Sequence, residues 1–175
     1  MIKIIDGNLL NAETDIIAHQ VNCQGAFNSG VAKAIREYNY SIYEDYKSFV
    51  DYFYKLGIKD QLLGNTRIFF DSKSNKFFAS LFAQDSYGFA QDSYGYDGKQ
   101  YTDIEAFRLC LVELKKTFGP CTKNNDGSYQ PTSIAFPYKI GCVRGGADWD
   151  VVYDIIEDEL SNAGYNVEFW RLDLG

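Results

Sequence analysis

Two stretches of this sequence put glycines, amides and a cation where an anion could be held. "NCQGAFNSGVAKAI" runs from Asn22 to Ile35, and "FPYKIGCVRGGADWDVV" from Phe136 to Val152. Each begins where an apolar run stops and ends in a helix-like pattern. A glycine-bearing loop that leaves a strand and enters a helix turns backbone N–H groups toward a ligand. The helix N-terminus adds partial positive charge. Phosphate is the anion such a cradle suits. Neither loop fits GxGxxG or GxxxxGK[ST], so neither reads as a Rossmann or P-loop site. The single histidine, His19, lies just upstream of Asn22. It can serve as a general acid or base, although an apolar strand is also where a satisfied core histidine sits. Asn22 on its own reads as a strand-end turn former.

The elements that must position these loops are legible in outline. Strand patterns cover 2–5, 15–22, 65–71, 76–84, 132–137 and 166–174. Helix patterns cover 30–38, 41–57, 102–119 and 149–164. Ser41 is placed to cap the second helix. Thr102 with Glu105 forms a capping box for the third, which Gly119-Pro120 ends. Gly164 closes the fourth, and 123–131 reads as a loop. The stripe Tyr43, Tyr46, Phe49, Val50, Phe53 is helical packing. Strands alternating with helices imply an α/β layer fold with helices on both sheet faces. Ligands of such folds sit at the carboxyl ends of the strands, where both glycine loops fall.

Composition narrows the function classes. The chain has 175 residues, 46% hydrophobic and 17% aromatic, which suits one domain over 1–175 with one core. The formal net charge is −7, and no Lys/Arg cluster stands out, which argues against nucleic-acid binding. No run approaches the ~20 apolar residues of a membrane helix. The N-terminus lacks the pattern of a signal peptide. The expectation is a cytoplasmic monomer with neither a membrane nor a nucleic acid as partner. Cys23, Cys110, Cys121 and Cys142 are widely spaced, with no CxxC pair. Reduced thiols, no metal site and no cofactor are expected.

At the two loops the sequence resembles a macro domain, the ADP-ribose-binding α/β/α module. "IDGNLLNAETDIIAHQVNCQGAFNSGVAKAI" (5–35) and "IAFPYKIGCVRGGADWDVVYDII" (134–156) carry the resemblance, with "YGYDGKQYTDIEAF" (94–107) a weaker third match. The nearest group is the compact stand-alone one described as ADP-ribose-1''-phosphate processing. The resemblance implies a three-layer α/β/α fold around a mixed sheet of about six strands. It implies binding of ADP-ribose or a derivative, and hydrolysis of ADP-ribose-1''-phosphate to ADP-ribose. The alternatives are a binding module without turnover and a deADP-ribosylating glycohydrolase.

Roles follow residue by residue from the resemblance. Asn8 stands where the family often carries an aspartate facing the adenine amino group. Asn22 matches the asparagine facing the distal ribose. Gln24, Gly25, Ser29, Gly30 and Val31 match the loop around the distal ribose and diphosphate. Gly141, Cys142, Val143, Arg144, Gly145 and Gly146 match the loop whose amides hold phosphate. His19, Asn22 and Asp148 are the catalytic candidates, with His19 as acid or base. Asp148 and Asp150 can each orient a water, and helix capping also accounts for both. Val143-Arg144 replaces a commoner Gly-Leu type pair. Valine resists positive φ, so a less open loop is expected. Arg144 is either a phosphate clamp or a solvated loop charge.

Two further features bear on mechanism. Some macro glycohydrolases use a lysine nucleophile near the end of the strand at 76–84, with a partner aspartate in the second loop. Gln84, or Gln91, stands at the lysine position here, and the aspartate falls near Gly145. Glutamine forms no Schiff base, so that route is not expected. The segment "FAQDSYG" occurs twice in succession, at 82–88 and 89–95. A period of this length is too short for a solenoid. It reads as a local duplication that lengthens one strand-to-helix loop near the ligand, which either covers the pocket with Tyr87 or Phe89 or bulges into solvent.

Overall fold

The central strands are apolar on both sides, and their alternating residues part to opposite faces of one sheet. In β2 (Ile16–Asn22), Ile16 and Ala18 face one core, while Ile17 and Val21 face the other. β4 (Lys76–Gln84) does the same, with Ala79, Leu81 and Ala83 against Phe78 and Phe82. Near-continuous apolar runs of this kind mark parallel strands covered on both faces. A computed structural model describes residues 1–87 and 99–172 of the chain. The second "FAQDSYG" copy, with Phe89 and Gln91, lies outside the described residues.

The remaining strands of the main sheet are β1 (Ile2–Asp6), β3 (Thr66–Asp71), β7 (Ser133–Pro137) and β8 (Asn166–Arg171). The order is β1-β8-β7-β2-β4-β3. Every pairing is parallel except β3 with β4, so the sheet is mixed. α1 (Gly30–Tyr38) and α2 (Tyr40–Lys55) cover one face through Ile35, Ile42, Tyr46 and Val50. α3 (Ile104–Thr117) and α4 (Trp149–Glu159) cover the other through Phe107, Leu111, Val152 and Ile156. Three layers result, with an apolar core on each side of the sheet.

Local expectations differ from the structure in four places. Asn39, not Ser41, caps α2: its side chain accepts from the Ser41 amide. Asp103, not Thr102, caps α3 by accepting from the Ala106 amide at 2.9 Å. The Thr102 hydroxyl is buried and engaged elsewhere. α4 ends at Glu159, and Gly164 (φ 96) instead closes a short 3-10 turn over Ser161–Ala163. The segment taken as a loop holds a small hairpin, β5 (Cys121–Lys123) with β6 (Tyr129–Pro131). Among the described residues, no helix is long and apolar enough to cross a membrane, and no cluster of histidine, cysteine or carboxylate side chains could hold a metal.

Candidate functional site

The carboxyl ends of β2, β4 and β7 open into a cleft of about 710 Å³. β2 supplies His19, Gln20 and Asn22, and β4 supplies Gln84 with Tyr87 just beyond it. The first loop and the start of α1 supply Ser29, Gly30 and Val31. The second loop supplies Gly141, Val143, Arg144 and Gly145. The expected site residues Asn8, Gln24, Gly25, Cys142, Gly146 and Asp148 stand outside this lining.

Asn22 works on its own loop. Its Oδ1 accepts from the Gln24 amide at 2.9 Å, the Ala26 amide at 3.3 Å and the Tyr46 hydroxyl at 3.0 Å. Its Nδ2 donates to the Ala26 carbonyl at 2.9 Å. The Tyr46 hydroxyl also reaches the Asn22 carbonyl at 2.7 Å, and burial pushes its pKa well up. Gln24 ties the loop to Asp85 in the first repeat copy, and the side chain of Lys47 lies over Gly25. The loop is therefore held from α2 and from the end of β4 together.

The helix that follows offers its amides. Ser29 takes the N-cap position of α1 without a side-chain cap bond, and the first turn carries no acid. Unpaired amides and the helix dipole point at the cleft. Opposite, the Arg144 guanidinium lies over Gly30, where an added Cβ would stand 3.6 Å from its Nε. Among the described residues, the amides of Gly141, Val143 and Gly145 donate to no backbone carbonyl. Val143 does not take positive φ. Lys139 takes it instead (φ 57), together with Gly141 (φ 77).

The charge of the lining is one-sided. Lys139 and Arg144 line the cleft, and no aspartate or glutamate does among the described residues. Asp148 is exposed and caps α4 by accepting from the Asp150 amide at 2.8 Å. Asn8 caps the 3-10 turn Leu9–Asn11.

His19 is 1% exposed, with its ring edge-on to Phe27 at 5.1 Å. Its Nε2 lies 3.4 Å from Ser80 Oγ, and its Nδ1 has no partner. Burial pushes its pKa down to about 3, so the ring is neutral at neutral pH. Neither cysteine near the cleft is activated. Burial, reinforced by Asp85, pushes Cys23 up to about 12. Burial and then Asp148 push Cys142 up to about 11.

Sequence reasoning missed the amide network at the cleft floor. Gln20 Nε2 donates to Gln84 Oε1 and to Thr102 Oγ1, both at 2.7 Å. Gln84 Nε2 donates to the Ser86 carbonyl at 2.9 Å. The position compared with a catalytic lysine is thus a glutamine fixed at both ends of its amide. The position compared with an aspartate, Gly145, has no room for a side chain.

No family model and no curated protein matches this sequence. Solved structures do. The macrodomain of Mycobacterium tuberculosis DarG superposes with a TM-score of 0.71 at 17% identity, covering 97% of each chain. A macrodomain protein from Streptomyces coelicolor gives 0.70 at 18% identity, covering 100% of each. Thermosipho africanus DarTG, solved in complex with ADP-ribose, gives 0.66 at 15% identity, covering 98% of this chain and 42% of that one. The chain has the three-layer α/β/α fold of macrodomains, built on a mixed six-stranded sheet.

Proposed function

We propose that this protein binds ADP-ribose, or a derivative of it, in the cleft over β2, β4 and β7. One observation carries the reading. A chain of net charge −7 presents a cleft lined by Lys139, Arg144, unpaired loop amides and an uncapped helix N-terminus, with no carboxylate among its described lining residues. That is the complement of a diphosphate. A cleft of about 710 Å³ is also within the usual size range of a small-molecule site. The DarTG structure in complex with ADP-ribose, which shares the fold, adds support.

Binding without turnover is the reading the geometry supports best. Asn22 is occupied by its own loop, Asp148 by its helix, and His19 is buried and neutral. A second reading keeps hydrolysis of ADP-ribose-1''-phosphate, because His19 lines the same cleft with an unpartnered Nδ1. In it, water attacks phosphorus, the P–O bond to the ribose breaks, and neutral His19 takes the water's proton and returns it to the departing ribose oxygen. Lysine-based removal of ADP-ribose from carboxylates is disfavoured by Gln84 and by the closed space at Gly145.

Calorimetric titration with ADP-ribose tests the first reading, which falls if millimolar ligand gives neither heat nor stabilisation. Phosphate release from ADP-ribose-1''-phosphate tests the second. Turnover in wild type that His19→Ala abolishes, with affinity kept, would favour catalysis; no turnover leaves the binding module.

A further inference from the structure

Thr102 stands just before α3 and is 3% exposed. Its Oγ1 accepts from Gln20 Nε2 and donates to the Gly141 carbonyl, each at 2.7 Å. Its backbone amide donates to the Gly145 carbonyl at 3.0 Å, beside the Tyr101 amide, which reaches the same oxygen at 2.7 Å. Gln84 and Thr102 also form an isolated antiparallel bridge. Thr102 therefore joins the strand ends to the second glycine loop, its side chain reaching β2 and its backbone β4.

The loop is shaped to receive that side chain. Gly141 (φ +77) and Gly145 both lie where an added Cβ would meet Thr102, at 3.2 Å and 2.0 Å from its Oγ1. Between these two anchor points sit Cys142, Val143 and Arg144, including one unpaired amide and the cleft's guanidinium. Fixing both ends of so short a span fixes the height of its middle over the sheet edge. Thr102 itself is absent from the cleft lining. It reaches whatever occupies the cleft only through its neighbours, the loop and Gln20.

We propose that Thr102 is a positioning residue of this cleft: its hydroxyl holds the second glycine loop in the ligand-ready conformation without touching the ligand. This deepens the ADP-ribose reading and rests on it for the ligand, not for the loop. A buried hydroxyl that both donates and accepts is irreplaceable by an isosteric methyl, and serine restores both bonds.

The experiment compares wild type, Thr102→Val and Thr102→Ser by amide hydrogen exchange and by calorimetric titration with ADP-ribose. In Thr102→Val, exchange across 140–147 quickens by about tenfold while β7 and the middle of α4 are unchanged, and affinity falls by about tenfold. Thr102→Ser restores both. Wild-type exchange across 140–147 in the valine variant overturns the proposal, and so does wild-type affinity. A wild type that takes up no ADP-ribose, with a loop that still loosens in Thr102→Val, sinks the ligand reading and upholds the positioning role. If the valine variant fails to fold, Thr102→Ala deletes the same hydroxyl and adds no bulk beside Gly145. The same loop-confined quickening is expected there, and unchanged exchange overturns the proposal.

Discussion

Gly145 and Thr102 meet with no space for a side chain between them. A Cβ added at 145 would stand 2.0 Å from Thr102 Oγ1 and 2.4 Å from the Gly141 carbonyl oxygen. The first neighbour is a short buried side chain and the second is backbone, so neither swings away. Gly145→Ala is expected to destabilise the fold by about 1–3 kcal/mol and to weaken ADP-ribose binding. Gly119→Ala is the control, since nothing lies within 4 Å of an added Cβ there. Denaturant unfolding of the two variants side by side checks the contrast.

Arg144 lies over the start of α1 and lines the cleft. A charge-assisted bond to phosphate contributes about 1.5–3 kcal/mol. Arg144→Ala should therefore lower ADP-ribose affinity by about tenfold or more, and Arg144→Lys by less, because the planar fork is lost but the charge kept. Titration of both at one fixed ionic strength decides it. Equal affinity in all three proteins would put the guanidinium out of the ligand's reach.

His19 ties stability to pH. Burial pushes its imidazole down to about 3 from an ordinary value of 6.5. Between those values the unfolded chain binds a proton that the folded chain refuses. The advantage of the neutral buried ring is whole above about pH 6.5 and is lost progressively as pH falls toward 3. Wild type should lose about 1 kcal/mol more per pH unit between 6.5 and 5 than His19→Gln. Asp71 acts in a lower window. Against the upward push of burial, bonds from Ser74, Tyr38 and Asn39 hold its carboxyl below the ordinary 3.8. Its contribution is present above that value and fades as pH falls through the folded pKa. Unfolding curves at pH 7, 6 and 5 separate the two groups.

Asn22 and Tyr46 form one unit, since the tyrosine hydroxyl bonds both the carbonyl and the side chain of Asn22. Asn22→Ala and Tyr46→Phe should each cost about 1–2 kcal/mol. The double variant should cost less than their sum by about 1 kcal/mol. A strictly additive cycle would mean that the loop is not held through this pair.

How much of this was legible depends on the range of each signal. The layered fold was, because β2 and β4 are apolar on both faces and the helices carry stripes at helical spacing. The two loops were, because glycines between a strand and a helix are a local pattern. The floor network was not: Gln20 meets Gln84 and Thr102 across 64 and 82 positions. Thr102 was misread for the same reason. Its spacing to Glu105 fits a cap, yet the fold draws its hydroxyl to the sheet edge and leaves capping to Asp103. The β5–β6 hairpin has strands of three largely exposed residues each, too short to show a period. The valine at 143 meets no positive φ, which in this loop falls on Lys139, Gly141 and Gly146.

The sign of the cleft sets its kinetics. The whole body, at −7, repels a dianion at a distance, whereas the lining attracts it on contact. Repulsion between exposed charges extends about one Debye length, ~10 Å in 0.1 M salt, and shrinks as salt is added. Added salt therefore hastens the arrival of such a ligand and also hastens its escape, by loosening its hold on Lys139 and Arg144. On the ADP-ribose reading, both rate constants should therefore rise with salt.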